Sequence, residues 1–473
     1  MRDPSGSGHS AAASLSTDAL TDQLDGRLIG PADPEYDTAR SVWNGMIDRH
    51  PSMVAECAGA DDVVAALGFA RDAGLPVTVR GAGHNVAGQA VADDALVIDL
   101  GQMNHVEIDA KERIARVGPG ARGADLDTAS QAAGLATTGG TDSTTGVVGL
   151  TLGGGMGFLG RAFGLASDNL LGADVVLADG TRVHASETEH PDLFWALRGG
   201  GRHVGVVTEI ELRLHPLGPE IAVVQAFYPF ADAIGHLRFF RDFFADAPDE
   251  AGGYALAVNV PPVDPFPAEA HGTTALAIVA SHTGPVEDGL RSLAPLGELG
   301  SSLLAVTMPM PYAALQQAFD AGNPAGKRYF WKSAYLRELP DEAIEAFAAR
   351  ADPLPGPFSA AYFEALGGAI GRTDSSATAF PHRDAPFNFA LSAGWDSPAD
   401  DERAIGWSRA FHDAMLPWST GGLYANYIGG DDIGRLEASF GPNVERLRQV
   451  KERYDPDGVF GRLAQAESAA PRG

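Results

Sequence analysis

A single cysteine, Cys57, among 473 residues leaves no partner for an internal disulfide and no thiolate cluster for a metal. The histidines show no H-x-H, H-x-x-x-H or H-E-x-x-H spacing, so no metal site and no zinc enzyme is expected. No apolar run reaches the roughly 20 residues of a membrane-spanning helix. The start, Met1 to Gln23, is rich in Ser, Ala, Asp and Gly and has neither a basic n-region nor an apolar h-region. It reads as a tail, not a signal peptide, and with the lone cysteine it leads us to expect a cytoplasmic protein. Basic residues are scarce, with 34 Lys and Arg against 62 Asp and Glu and a formal charge of −28. That balance argues against nucleic acid and anionic membrane as partners. The acids are spread along the chain and the bases are mostly Arg, a pattern that points to a saline setting where the medium screens self-repulsion.

What is present is a globular composition, 45% hydrophobic and 20% charged, in a chain too long for one ordinary core. "DDVVAALGFARDAGLP" spaces Val63, Ala66, Leu67 and Ala70 as a helix that Gly74 and Pro76 stop. Pro76 to Arg80 and "DDALVIDL" read as short strands, "RIARVGPGARGADLDTASQAAG" as strand, turn and helix ending at Gly134. "ADVVLADGTRVHAS" is a hairpin turning at Asp179–Gly180. "VVTEIELRLHP" alternates as a half-exposed strand. From about Gly218 aromatics and proline rise, and "YALAVNVPPV", "TTALAIVASH" and "FNFALSAGW" read as strands. "PDEAIEAFAARA", "DERAIGWSRAFHDAML" and "GPNVERLRQVKERY" read as helices. The expected fold class is α+β, the later region forming one antiparallel sheet with helices on one face. No period of 20 to 50 residues recurs.

Two glycine-rich stretches carry the chemistry. "PVTVRGAGHNVAG" puts His84 between Gly81, Gly83 and Gly88, in a loop whose free N–H groups suit an anion. On this loop alone, a polar surface turn with an incidental histidine is the simpler reading. "TTGGTDSTTGVVGLTLGGGMGFLGRAFGLASDN" crowds Gly153, Gly154 and Gly155 together, with hydroxyls at Thr141, Ser143, Thr144 and Thr145. Two such loops in one α+β domain, each after a strand, point to a dinucleotide. Neither is followed by the long helix or the ribose-binding acid of a nicotinamide fold, which makes that the weaker choice.

The pairing of "RGAGHN" with "GGTDSTTGVVGLTLGGGMGFLGRAFGLASDNLLGADVVLADG", then "DLFWALRGGGRHVGVVTEIEL", resembles the FAD-linked oxidoreductases of the vanillyl-alcohol oxidase fold. Within it, the sequence looks closest to the berberine-bridge-enzyme-like branch, with "GGLYANYIGG" and "YDPDGVF" similar to its C-terminal signature. The resemblance implies a two-part, PCMH-type FAD-binding domain and a substrate domain that caps the flavin. We place these as a tail at 1–35, FAD-binding parts at 36–217 and 421–465, a substrate domain at 218–420 and a tail at 466–473.

It also implies site residues. His84 matches the histidine bonded to the flavin 8α-methyl carbon, and Asp142 stands where many members have a second, cysteinyl link, so a single covalent bond is expected. Arg80, Gly81, Ala82, Gly83, Asn85 and Gly88 of the first loop are cofactor contacts. So are Thr141, Asp142, Thr145, Gly146, Gly149, Gly153, Gly154 and Gly155 of the second, with Val207, Asn426 and Tyr427. Tyr424 matches the tyrosine that serves many members as base, and a packing role is the alternative. An ordinary tyrosine ionises near 10, so a base role at neutral pH needs a cation nearby, for which Lys332 is a candidate. The close "VFGRLAQ" departs from the branch's Asn-Gln ending at Ala464 and Gln465. Thr145 falls where the family places an apolar residue tied to oxygen access, which leaves oxidase against dehydrogenase open.

The implied activity is hydride removal from an alcohol-type small molecule (a sugar, hydroxylated aromatic or secondary metabolite) to FAD, with O₂ as expected acceptor. Amine oxidation at a C–N bond and a non-catalytic flavin protein are the alternatives. The charge makes its own prediction: the melting temperature should rise from low salt to molar KCl as self-repulsion is screened. A temperature that stays level or falls removes the saline reading.

Overall fold

Short apolar segments between Asp- and Gly-marked turns build a four-stranded and a five-stranded sheet in the first half of the chain, in a computed structural model that describes residues 17–461. The first sheet orders Arg27–Ile29, Met53–Glu56, Leu96–Asp99 and Val77–Arg80, the last three parallel. Leu96, Val97 and Ile98 are fully buried, as expected of a parallel strand covered on both faces. The second sheet is antiparallel, ordered Val106–Asp109, Ile114–Val117, Val206–Arg213, Leu170–Val176 and Arg182–Ser186. Val176 and Val206 of this sheet share a core with Leu67, Leu96 and Ile98, which joins the two.

The later region forms one seven-stranded antiparallel sheet. Its order is Leu304–Pro311, Glu220–Pro229, Thr274–His282, Ala251–Asn259, Ala360–Ala365, Phe387–Trp395 and Arg328–Leu336. Period-2 alternation gives this sheet two different faces. Ala255, Ile278, Phe363 and Phe389 pack on the helices Ala233–Asp246, Val286–Gly297, Asp341–Ala351 and Asp401–Met415 through Phe240, Leu293, Phe347 and Phe411. Tyr254, Leu256, Ala277 and Val279 face the opposite way, toward Phe158 and Leu159 of the second glycine-rich stretch.

After the sheet the chain returns to the first half. Ile428, Leu436, Phe440 and the helix Val444–Tyr454 pack with Val147, Leu152, Phe194 and Trp195 in one core. Among the described residues, no helix is long and apolar enough to cross a membrane. The expected N-terminal tail is too long. From Thr17 onward the chain forms a helix with Leu20 buried and then the strand Arg27–Ile29, because even a three-residue strand gains full pairing beside Met53–Glu56. Ala464 and Gln465 lie outside the described residues.

One buried ion pair ties the cap to the second glycine stretch. Arg383 donates from both terminal nitrogens to Asp168 at 2.7 and 2.8 Å, and further to the Thr378 hydroxyl and the Phe380 carbonyl. Both side chains are nearly buried, so removing one strands the other's charge. Arg383→Ala should therefore cost about 3–5 kcal/mol in denaturant unfolding, and a loss below about 1 kcal/mol would show that the pair is dispensable.

Candidate active site

The strand Val77–Arg80, paired in parallel with Leu96–Asp99, delivers the loop Gly81 to Gly88 at its C-terminal end. Gly83 has φ 70°, a left-handed turn that sets His84 against the second loop. The indole of Trp43 stacks on His84 at 4.4 Å and on Tyr329 at 3.9 Å, fixing the imidazole plane. His84 Nε2 lies 3.1 Å from Thr144 Oγ1, which donates to Asp142 Oδ1 at 2.5 Å. Burial lowers the His84 pKa below the ordinary imidazole value, against the pull of Asp142.

The second loop is held from the cap. Ser143 donates its N–H and its hydroxyl to the two oxygens of Asp320, and Gln316 donates to the Gly140 carbonyl. The short helix Val147–Leu152 follows, then Gly153, Gly154 and Gly155. A Cβ on Gly146 would come within 3 Å of Ala82, so the two loops touch backbone to side chain.

Both loops line one cavity of about 1060 Å³, just above the roughly 300–1,000 Å³ of single-ligand sites. Gly81, Ala82, Gly83, His84 and Asn85 line it from the first loop. Thr141, Asp142, Thr145, Gly146 and Gly149 line it from the second, with Val207, Asn426 and Tyr427. The other sequence candidates stand behind it. Arg80 turns away to Asp99 at 2.6 Å and to the carbonyls of Ala39 and Ser41, because its strand places it opposite Asp99. Gly88 packs on Ile47, and Gly153, Gly154 and Gly155 shape the turn beneath the cavity.

Tyr424 also stands behind the wall. Its buried hydroxyl accepts from the N–H groups of Gly155 and Met156 at 3.0 and 3.1 Å and from Asn426 at 2.8 Å. Burial pushes its pKa up to about 12, so it stays a phenol at neutral pH. Lys332 does not change this. It sits on the sheet face of Ala334 and Leu336, turned from the cavity, and pairs with Asp432 at 2.9 Å and Asp431 at 3.6 Å. Cys57 is buried in the first core, where burial pushes its thiol up, and it does not line the cavity.

The acid–base group that sequence reasoning missed is Glu364. It follows Tyr362 at period 2 on the strand Ala360–Ala365, on the cavity side of the sheet. Its carboxylate accepts from the Tyr254 hydroxyl at 2.7 Å, and burial raises its pKa to about 7. Tyr254, Tyr362 and Tyr427 line the cavity around it. Trp43 was missed as well, since it lies in a segment without periodicity. Near-contacting backbones without Cβ atoms, a buried histidine in the lining and a wide cavity fit a flat, extended dinucleotide such as FAD.

Comparison with known proteins agrees with this geometry. Residues 51–186 match the family model described as FAD binding domain, and residues 423–465 the one described as berberine and berberine like. (R)-6-hydroxynicotine oxidase of Paenarthrobacter nicotinovorans is 30% identical over 92% of this chain and 95% of its own. The solved 6-hydroxy-D-nicotine oxidase of Arthrobacter nicotinovorans superposes with a TM-score of 0.82 at 29% identity, covering 92% of this chain and 96% of that one. Glucooligosaccharide oxidase of Acremonium strictum, solved with a 6-S-cysteinyl, 8α-N1-histidyl FAD, gives 0.83 at 25% identity, with 96% and 99% covered. Similarity over nearly the whole length, together with both domain matches, makes this chain a member of the berberine-bridge-enzyme-like FAD-linked oxidoreductases of the vanillyl-alcohol oxidase fold.

Proposed function

We propose that the protein oxidises a neutral, hydroxylated, ring-bearing small molecule, with its FAD held by one covalent bond at His84 and O₂ as electron acceptor. In this reading residues 36–217 and 421–465 bind FAD, 218–420 cap it, and the protein works in the cytoplasm. The observation that carries the substrate class is the cap's wall. Among the described residues lining the cavity, those between 218 and 420 include no charged side chain. Phe227, Tyr254, Leu256, Trp331, Phe358 and Tyr362 dominate it. A charged substrate would lose its hydration there without a partner, which costs several kcal/mol. Within this wall the Trp331 Nε1 and Ser392 Oγ atoms are buried without a hydrogen-bond partner, two polar groups available to orient a hydroxyl. An oligosaccharide, with many hydroxyls to satisfy, suits the wall less well.

Bound FAD supplies the hydride acceptor. The chain's own part is the proton. The Tyr254 hydroxyl takes the substrate's O–H proton as it passes its own to Glu364, 2.7 Å away. Glu364 must be ionised to receive it, so activity rises as pH climbs through about 7. Tyr427 and Tyr362 close the cavity beside this pair. Tyr424, holding Gly155, Met156 and Asn426 in place, supports the turn beneath the flavin.

A donor panel under argon tests the function. Hydroxylated aromatics should bleach the flavin and sugars should not. Bleaching by secondary or tertiary amines alone would move the activity to C–N oxidation, and no bleaching by any donor would leave a flavin protein without turnover.

Glu364→Gln should lower kcat by about 10²–10⁴-fold. It should also change the pH dependence of stability. A carboxyl whose folded pKa is raised to about 7 contributes stability that is complete below its unfolded value near 4.5 and lost as pH rises to 7. Unfolding measured from pH 4.5 to 7.5 should show wild type losing on the order of 3 kcal/mol relative to the glutamine variant. Parallel pH profiles would contradict the placement of Glu364.

A further inference from the structure

His84, Thr144 and Asp142 form a directional chain. A carboxylate only accepts, so the single proton of Thr144 Oγ1 goes to Asp142 Oδ1 at 2.5 Å, where the Thr144 N–H also donates at 3.0 Å. The hydroxyl's lone pair is then left for His84, so Nε2 carries the proton and donates to it at 3.1 Å. Nδ1 is then the ring nitrogen without the proton, and the residue's own backbone carbonyl also acts on the imidazole. The stacked Trp43 keeps the ring in that plane, and Asp142 Oδ1 itself lies 3.8 Å from Nε2. The other charged groups that act on the imidazole are Arg122 and Asp320.

We propose that Asp142, acting through Thr144, is a positioning residue for the attachment of FAD to His84. It selects the tautomer whose Nδ1 is the nucleophile and takes up the Nε2 proton as the bond forms. The inference rests on the reading of His84 as the attachment residue and gives Asp142 a task at the place where a second link is absent. In the step, His84 Nδ1 bonds to the 8α carbon of FAD, which gives up one proton. The Nε2 proton passes through Thr144 to Asp142. The two electrons left on the flavin go to O₂, which with the two released protons becomes hydrogen peroxide.

The test follows the covalent fraction with time. Full-length protein from riboflavin-limited cells is mixed with FAD, and flavin is measured in the acid-precipitated pellet and in the supernatant. In wild type the pellet should gain flavin, and Asp142→Ala and Thr144→Val should slow that gain at least about tenfold while still releasing bound FAD to the supernatant. Thr144→Ser, which keeps the hydroxyl, should restore a rate near wild type. Wild-type rates in Asp142→Ala overturn the inference alone, as does a serine variant as slow as the valine one. If Asp142→Ala binds no FAD at all, the serine–valine pair decides. Wild-type flavin found only in the supernatant overturns the attachment reading and this inference with it.

Discussion

At Gly153, Gly154 and Gly155 three parts of the chain approach one another more closely than any Cβ allows. A Cβ on Gly153 would come within 3 Å of Asn426, one on Gly154 within 3 Å of Phe380, and one on Gly155 within 3 Å of Ala166. Asn426 belongs to the returning C-terminal segment and Phe380 to the cap, so this turn is where the whole molecule closes. Tyr424 reinforces it by accepting from Gly155 and Met156. With φ of 116° and 82°, Gly154 and Gly155 adopt backbone that other residues resist. The cavity's floor, the placement of Tyr427 and the docking of the cap all follow from that close approach.

Two acidic residues flank the cavity, Asp142 in its lining and Glu364 behind Tyr254. Asp142 is tied to a hydroxyl and a backbone N–H beside His84, while Glu364 is buried in the cap's own sheet with one phenol as its main partner. Two carboxyl groups in environments this different suit the two tasks proposed for them, one orienting a nucleophile and one accepting a proton. The charge of −28 spread over the chain leaves the cap's lining untouched, since that wall is apolar and neutral. Repulsion of anions at the surface and exclusion of charge inside act in the same direction on substrate choice.

Much of this was legible in residue order. The helix Ala60–Ala73, the hairpin at Asp179–Gly180 and the strands Ala251–Asn259, Thr274–His282 and Phe387–Trp395 carry their periods openly. The two glycine loops announced the site through composition alone. Other features depend on which strands become neighbours, which no local pattern encodes. Glu364 reads as a polar residue in an ordinary strand until pairing with Ala251–Asn259 puts Tyr254 beside it. Arg80 looked like part of the loop, yet its register partner Asp99 claims it. Lys332 could have been set aside from sequence, because Ala334 and Leu336 share its alternation and mark the helix-packed face. The strand at Arg27–Ile29 is too short to carry a period at all.

The most direct test of the account is peptide mapping of the purified, denatured protein. Trypsin cutting after Arg80 and Lys111 releases one peptide that contains His84. The account predicts that this peptide carries the mass of one FAD, with fragmentation placing it on His84, and that no second peptide is modified. An unmodified peptide, or flavin found on the fragment that holds Asp142 or Cys57, would contradict it.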